Sequence, residues 1–358
     1  MSSFLLSSEA HGGQNPIELS EYGIDPSNLI DFSVNSNPFG PAPSVIERIL
    51  KVDISKYPDP QAYLLTSSLA KLCQVDKDQV LVGNGSSELI WLVARAFLKP
   101  GDQVVILEPT FSEYRHAAET LGAVVNEVRA LAPDFEPPLE ALHDLIKQTN
   151  PKLVFICNPN NPTGFLLSPV EIARISEVCG TDSLLIVDEA YQSFLHGEHF
   201  STPVHENTLL IRSMTKDFAL AGLRLGYAVG RAELITKLRA LQPTWSVNSI
   251  AQEAGLAAIE DLPYYKHCFE QLHSLKEAFF NSLRSIGVTI NKSSTHYGVF
   301  ATKNTARSVR QNLLRQGIQV RDCSSFGLPH HVRVSTQLDV HNQVLLEALT
   351  LLIKDNNL

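Results

Sequence analysis

The sequence lacks a long apolar run and an excess of positive charge. No stretch approaches the roughly 18 consecutive apolar residues of a membrane-spanning helix. The 358 residues contain 29 Lys and Arg against 38 Asp and Glu, a formal net charge of −9, whereas a protein that binds nucleic acid needs a basic surface. We therefore expect neither a membrane nor a nucleic acid as a partner. Net charge does not exclude a local cationic pocket for a small anionic substrate.

Cysteine is scarce, and its spacing argues against disulfides and zinc. The five cysteines are an odd number without a C-x-x-C pair, as expected for free thiols in a reducing compartment. The pairs His196/His199 and His330/His331 lack the spacing of a zinc-protease motif, so no metal site is predicted. No Lys or Arg precedes Arg48, which argues against a secretory signal peptide. With 44% apolar residues, the sequence predicts a globular, cytoplasmic enzyme.

Short apolar runs alternate with amphipathic segments between about residues 43 and 250. This alternation indicates an α/β fold with a mostly parallel central sheet covered by helices on both faces. Later residues combine long helical patterns with short strands, which indicates a smaller α+β domain. We predict an N-terminal arm over 1–42 that joins the small domain, a large domain over 43–250 and a small domain over 251–358. The predicted strands are 79–82, 104–107, 153–157, 184–187, 209–212, 225–229, 288–290, 298–301, 319–321 and 332–335.

Two of the loops that follow predicted strands are rich in small and amide residues. Such loops bind ligands at the carboxyl ends of parallel strands. Gly83-Asn84-Gly85-Ser86-Ser87-Glu88 opens a helix whose exposed N–H groups suit an anion, although an ordinary helix cap explains it equally well. Asn158-Pro159-Asn160-Asn161-Pro162-Thr163-Gly164 contains two Asn-Pro steps, which indicate a rigid turn that fixes a side-chain amide.

Two further loops carry the groups with the strongest chemistry. Asp188 and Tyr191 follow a predicted strand and can direct a carboxylate and a phenol at one ligand. Lys216 lies beyond another strand among hydroxyl residues, with Arg224 downstream, as expected for a Schiff-base lysine. Each loop alone has a purely structural explanation. Together the four loops supply an anion cradle, an amide, a carboxylate with a phenol, and a lysine. This combination indicates a ligand site far more specifically than any one loop does.

This series resembles the fold-type I, aminotransferase-class family of enzymes that use pyridoxal 5′-phosphate (PLP). The resemblance covers nearly the whole chain. It implies the PLP-dependent transferase-like fold and PLP as the cofactor. The matching pieces are Tyr57-Pro58, Gly85-Ser86-Ser87, Pro109-Thr110-Phe111-Ser112-Glu113-Tyr114, Asn161-Pro162-Thr163-Gly164, Asp188-Glu189-Ala190-Tyr191, Ser213-x-x-Lys216 and Arg224-x-Gly226-Tyr227.

The resemblance also implies a role for each matching residue. Lys216 would bind the cofactor covalently, and Asp188 would pair with the pyridine nitrogen and keep it protonated. Tyr114 would stack on the ring, while Asn161 and Tyr191 would contact the ring hydroxyl. The residues implied to surround the cofactor phosphate are Gly85, Ser86, Ser87, Ser213, Arg224 and Tyr57 of the partner subunit. Because Tyr57 would come from the partner subunit, each active site would be complete only in a homodimer.

Segments near the two ends of the chain indicate the substrate, because the PLP-binding set alone does not choose between decarboxylation and transamination. Four runs, which begin at His11, Asp31, Thr244 and Val320, resemble threonine-phosphate decarboxylase of cobalamin biosynthesis. We therefore expect first a lyase that converts L-threonine O-3-phosphate to (R)-1-amino-2-propanol O-2-phosphate and CO2. Histidinol-phosphate aminotransferase of histidine biosynthesis is the alternative, and both families act on a phosphorylated substrate. The residues implied to bind the substrate are Asn35, Arg321, Arg333 and His11 of the partner subunit.

Overall fold

The computed structural model describes residues 12–196 and 205–358. Two residues that the sequence singled out, His11 and His199, lie outside these ranges. In chain order the strands are β1 (Ile30–Asp31), β2 (Val80–Gly83), β3 (Gln103–Glu108), β4 (Val124–Arg129), β5 (Leu153–Cys157), β6 (Leu184–Asp188), β7 (Thr208–Ser213), β8 (Gly226–Val229), β9 (Tyr297–Ala301), β10 (Ile318–Gln319), β11 (Arg321–Asp322) and β12 (His331–Ser335).

Helices separate most of these strands. In chain order they are α1 (Pro16–Glu21), α2 (Pro43–Ile49), α3 (Tyr63–Cys73), α4 (Gly85–Phe97), α5 (Glu113–Thr120), α6 (Leu139–Thr149), α7 (Pro169–Cys179), α8 (Ala232–Arg239), α9 (Ser249–Glu260), α10 (Leu262–Ser285), α11 (Ala306–Leu314) and α12 (Asp339–Lys354). None of the helices in the described ranges combines the length and apolarity that crossing a membrane requires.

A seven-stranded sheet with the order β2-β8-β7-β6-β5-β3-β4 forms the centre of the molecule. The strands from β7 to β4 run parallel, whereas β8 runs antiparallel to both β2 and β7. All five residues of β5 and of β6 are buried, because helices cover both faces of the sheet. The predicted α/β fold with a mostly parallel central sheet is therefore confirmed.

The predicted strands differ from the observed ones at four places. The predicted strand 319–321 divides into β10 and β11, which belong to different sheets, and the two-residue strand β1 was not predicted. Strand β4 escaped prediction because it lies at the edge of the sheet, where none of its six residues is buried and polar side chains interrupt the apolar pattern. The predicted strand 288–290 does not form. In its place a single antiparallel bridge joins Ile290 to Phe300 of β9, and beside it the Val299 amide donates to the side-chain Oδ1 of Asn291 instead of to a backbone carbonyl of a paired strand.

The N-terminal residues and the C-terminal part form a second core. Residue Ile30 of β1 pairs with Ile318 of β10, and the ring of Phe32 lies 6.2 Å from the ring of Phe279 in α10. Strands β11, β12 and β9 form an antiparallel sheet over the same core. Helix α9 packs instead with α2 and α3 against the central sheet. The boundaries at 42/43 and 250/251 remain a prediction.

Candidate active site

A cavity of about 440 Å³ opens at the carboxyl ends of the central strands. Loops that follow β2, β5, β6 and β7 line it, together with the arm after β1 and residues of β11 and β12. The structure thus brings together residues that are far apart in sequence. The predicted site residues that line the cavity are Asn35, Ser86, Ser87, Tyr114, Asn161, Asp188, Tyr191, Ser213, Lys216, Arg224, Arg321 and Arg333.

Three predicted residues are not among those lining the cavity. Gly85 opens α4 directly beneath it, and a Cβ there would come within 2.9 Å of the Arg224 Nη2. Tyr57 is 79% exposed and stacks on Trp245, with ring centroids 4.5 Å apart, in a separate surface groove. The contact of Tyr57 with a cofactor in a partner subunit therefore remains a prediction. His11 lies outside the described residues.

Lys216 is held in place through its own backbone. The Lys216 carbonyl accepts a hydrogen bond of 2.8 Å from the Asn37 amide nitrogen, and the Asn37 Nδ2 donates to the carbonyl of Asp217 at 3.2 Å. The arm after β1 therefore fixes the loop after β7. Burial, and then the positive charges of Arg333 and Arg224, lower the pKa of the Lys216 amine to about 8. A larger fraction of this amine is neutral near physiological pH than in an exposed lysine, which favours nucleophilic attack on a carbonyl.

Asp188 ends β6 at the base of the cavity and is buried. Its Oδ2 accepts a hydrogen bond of 2.7 Å from the Tyr114 hydroxyl, and its Oδ1 accepts one of 3.0 Å from the Ala190 amide nitrogen. Burial raises the pKa of the carboxyl to about 6 despite both hydrogen bonds. A cationic group in the cavity would therefore stabilise the carboxylate.

The stacking of Tyr114 on a cofactor remains a prediction. In the structure its ring stacks on Phe155 of β5, with centroids 5.1 Å apart and planes 9° from parallel, while its hydroxyl donates to Asp188. The aromatic ring at the cavity wall beside it is Phe111, whose centroid lies 5.7 Å from that of Tyr114 in an edge-on arrangement. The sequence motif located both rings but did not indicate which one faces a ligand.

The start of α4 forms an anion cradle together with β7 and β8. Gly226 makes this possible, because a Cβ there would lie 2.8 Å from the amide nitrogen of Ser86. The Ser213 and Thr215 hydroxyls lie 2.7 Å apart at the same cavity. Arg224 has a left-handed backbone with φ of 58°, a conformation that is uncommon for non-glycine residues. Helix N–H groups, hydroxyls and a guanidinium together suit a phosphate.

Two buried arginines lie on the opposite side of the cavity. The Arg333 Nη1 donates to the Asn161 Oδ1 and its Nη2 to the Ser33 carbonyl, while its Nε has no partner among the described residues. The Arg321 Nη2 donates to the Ser325 Oγ at 2.6 Å. Burial, and then the charge of Arg333, lower the pKa of Arg321 to about 10. This pair suits a second anionic group.

Two amides and a phenol complete the predicted set. Asn35 is buried, and neither its Oδ1 nor its Nδ2 has a hydrogen-bond partner among the described residues, as expected for a side chain that awaits a ligand. The Asn161 Oδ1 is taken by Arg333, which leaves its Nδ2 for a ligand. Tyr191 lies against Tyr297, with ring centroids 4.9 Å apart, and burial raises the pKa of its hydroxyl well above 10.

Sequence reasoning missed several residues of the cavity wall. Phe111, Glu113 and Thr215 lie inside motifs that were recognised, so their sequence signal was present but no role was assigned to them. Ala190 lies inside the Asp188-Glu189-Ala190-Tyr191 motif in the same way. Gly12, Ser33, Val34 and Phe326 lie in the runs that resemble the decarboxylase, where no role was assigned to them. Cys157, the last residue of a predicted strand, lies in none of these motifs.

The residues of the cavity fit PLP. The cradle at α4 matches its phosphate, the buried Lys216 amine matches its aldehyde, and the buried Asp188 carboxyl matches its pyridine nitrogen. The unpartnered Asn35 amide leaves hydrogen-bonding capacity for a further polar group. A mostly parallel sheet with these three groups at its carboxyl edge defines a PLP-dependent enzyme of fold type I.

Comparisons with known proteins lead to the same class. Residues 27–349 match the family described as aminotransferase class I and II. Histidinol-phosphate aminotransferase of Symbiobacterium thermophilum is 33% identical over 93% of this chain and 93% of its own. The structure of histidinol-phosphate aminotransferase of Sinorhizobium meliloti in complex with pyridoxal-5′-phosphate superposes with a TM-score of 0.87 at 22% identity, over 99% of this chain and 98% of that chain. The chain therefore belongs to the PLP-dependent aminotransferase class I and II family.

The first expectation, a threonine-phosphate decarboxylase of cobalamin biosynthesis, is contradicted. A structure of L-threonine-O-3-phosphate decarboxylase of Porphyromonas gingivalis does resemble this one, with a TM-score of 0.79 and 26% identity over 90% of this chain and 99% of that chain. However, curated relatives at 29–33% identity that span about nine-tenths of the chain are histidinol-phosphate aminotransferases. These relatives favour the alternative expectation, a histidinol-phosphate aminotransferase, over the decarboxylase.

The structure explains why the decarboxylase-like segments misled. The Asp322 Oδ1 accepts hydrogen bonds from the Ser324 backbone and hydroxyl, Trp245 stacks on Tyr57, and the Asn248 Oδ1 caps α9. These contacts shape turns and do not specify a reaction. Within the same segments Arg321 does reach the cavity, but a guanidinium suits the phosphate of either substrate.

Proposed function

We propose that this protein is a histidinol-phosphate aminotransferase that uses PLP to move an amino group from histidinol phosphate to 2-oxoglutarate. The observation that carries the proposal is one cavity with a phosphate cradle and a lysine on one side and two buried arginines on the other. Two anion sites suit a phosphorylated cofactor together with a phosphorylated substrate. The curated relatives that cover almost the whole chain support this choice of substrate.

Each side chain of the cavity has a defined task in this proposal. PLP supplies an electron sink that acidifies the proton on the substrate carbon bearing the amine. The Lys216 Nζ would hold the cofactor and, when its amine is free, would accept that proton as a base. A base with a pKa of about 8 is well matched to this step near neutral pH. The Asp188 carboxylate would keep a proton on the pyridine nitrogen of the cofactor, and the Tyr114 hydroxyl, which donates to its Oδ2, would orient that carboxylate.

The substrate is oriented by the two arginines. Arg321 and Arg333 offer guanidinium groups that pair with a phosphate on histidinol phosphate or with a carboxylate on 2-oxoglutarate and glutamate. One anion site that accepts both groups suits an enzyme whose two substrates bind in turn. Asn35, whose amide is buried without a partner among the described residues, supplies a further contact to either substrate.

We also propose that the enzyme acts as a homodimer. An exposed apolar face formed by Ile54, Tyr57 and Trp245 supports this, because monomeric proteins rarely expose a cluster of large apolar side chains. A second copy seated on this face would bring the exposed Tyr57 to the phosphate cradle of its neighbour.

A coupled assay tests the proposed activity. The purified PLP-loaded protein is incubated with histidinol phosphate and 2-oxoglutarate, and glutamate is measured. We expect turnover that requires both substrates and that is lost when histidinol, which lacks the phosphate, replaces histidinol phosphate at the same concentration. Absence of glutamate from an enzyme that retains bound PLP would refute the proposal.

A further inference from the structure

Arg129 ends the edge strand β4 and contacts the small-domain loop 323–328. Its Nη1 donates a hydrogen bond of 2.9 Å to the carbonyl oxygen of Phe326. Gly327 leaves room for this contact: it has a φ of +74°, and a Cβ there would lie 3.0 Å from the same Nη1. The side chain of Arg129 therefore joins the central sheet to a loop of the small domain.

The loop that Arg129 contacts holds Arg321. The Ser325 Oγ accepts the hydrogen bond from Arg321 Nη2, and the Arg321 guanidinium lies 5.1 Å from the centre of the Phe326 ring. Arg321 and Phe326 both line the active-site cavity, whereas Arg129 does not. A shift of the loop would move the hydroxyl and the ring that orient the Arg321 guanidinium.

Arg129 is itself anchored by carboxylates of the central sheet. Its Nη2 lies 3.5 Å from the Glu127 Oε1 and 3.9 Å from the Glu108 Oε2. Glu108 is buried at the end of β3, directly opposite Arg129 in the sheet register, and receives the Thr110 amide at 2.8 Å. Arg115 of α5 binds the same two glutamates, and within the described residues it makes no hydrogen bond or ion pair with the small-domain loop.

We infer that Arg129 is a positioning residue for the substrate anion. It fixes the loop 323–328 to the central sheet and thereby sets where Arg321 presents its guanidinium in the cavity. The substrate named in the test rests on the proposed function, but the positioning of Arg321 does not. Loss of Arg129 should weaken the binding of an anionic substrate without slowing proton transfer at Lys216, which lies on a different loop.

The test compares Arg129→Ala with Arg115→Ala, which removes the same charge from the same glutamates without touching the loop. We expect Arg129→Ala to raise the KM for histidinol phosphate by about tenfold while kcat stays within about twofold, and Arg115→Ala to leave both nearly unchanged. Arg129→Lys, which keeps one donor, should give an intermediate KM. Gly327→Ala should also raise the KM, since its Cβ crowds the Arg129 guanidinium.

A second measurement separates this inference from the proposed function. Inorganic phosphate binding to the PLP-loaded enzyme is measured by calorimetry, and we expect a weaker affinity in Arg129→Ala than in Arg115→Ala. A wild-type enzyme that does not turn over histidinol phosphate would refute the function, while this phosphate comparison would still test Arg129. If Arg129→Ala and Arg115→Ala behave alike in KM, kcat and phosphate affinity, the positioning role is wrong.

Discussion

Arg321 and Arg333 lie directly opposite each other in the antiparallel strands β11 and β12, and both side chains line the same cavity. Each is only 4% exposed. Two buried guanidinium groups repel each other, and the charge of Arg333 contributes to the lowered pKa of Arg321. An anion between them would relieve this repulsion, so the sheet register itself creates a site for a phosphate or a carboxylate.

We therefore expect inorganic phosphate to stabilise the PLP-loaded protein. Ligand that binds the folded state alone should raise the free energy of unfolding by about 2.7 kcal/mol at a concentration 100 times its Kd. Denaturant unfolding with phosphate, and with sodium chloride at matched ionic strength, measures this effect. Arg321→Met should abolish most of the difference. Equal stabilisation by the two salts would argue against a specific anion site.

Lys216→Ala should yield a folded protein without the yellow absorbance of lysine-bound PLP. Activity should fall by about a thousandfold or more, because both the covalent attachment and the base are lost. Lys276→Ala is the matched control, since its Nζ binds the Ser293 carbonyl away from the cavity. Visible absorbance of the dialysed proteins gives the result. A yellow band that survives in Lys216→Ala would show that another amine binds the cofactor.

The lowered pKa of Lys216 predicts how cofactor binding depends on pH. Only the neutral amine attacks a carbonyl, so the rate at which the apoprotein binds PLP should rise with pH and level off above about 8. Stopped-flow absorbance at constant ionic strength measures this rate. A rate that keeps rising toward pH 10.5, the ordinary pKa of a lysine, would mean that burial and the neighbouring arginines do not act on Lys216 as described.

Asp188→Asn should stabilise the apoprotein while reducing activity. Burial raises the pKa of Asp188 from 3.8 to about 6, so its contribution to stability is fully present below pH 3.8 and is lost as the pH rises through 6. Removing the buried charge should therefore raise the free energy of unfolding by about 1–3 kcal/mol at pH 8, with no difference near pH 4. Glu119→Gln, at an exposed carboxyl, should change little. A lower free energy of unfolding for Asp188→Asn at pH 8 would contradict the raised pKa of Asp188.

Ile54→Glu combined with Trp245→Glu should separate the proposed dimer. Two charges on this exposed apolar face would remain uncompensated in an interface, so light scattering should report a monomer. Val170→Glu, which is equally exposed at the start of α7, should leave the dimer intact. PLP should bind more weakly to the separated subunits if Tyr57 contributes across the interface. An unchanged molar mass in the double variant would argue against this face.

The sequence predicts an element of the fold when every residue of that element has the same degree of burial. Strands β5 and β6 are buried throughout, so their apolar runs identify them directly, whereas the edge strand β4 carries no such signal. The cavity residues Lys216 and Asp188 could be predicted because they lie in recognisable motifs. The contact between Tyr114 and Phe155 and the bridge from Arg129 to Phe326 join distant segments, and no local pattern determines such packing.

Transfer of an isotopically labelled amine nitrogen tests the central claim most directly. The enzyme is supplied with histidinol phosphate labelled at its amine and with unlabelled 2-oxoglutarate, and the glutamate is analysed by mass spectrometry. We predict that every glutamate formed carries the label, one for each histidinol phosphate consumed, and that Lys216→Ala forms none. Histidinol phosphate that remains intact, or label that appears as free ammonia instead of glutamate, would contradict the assignment as an aminotransferase for this substrate.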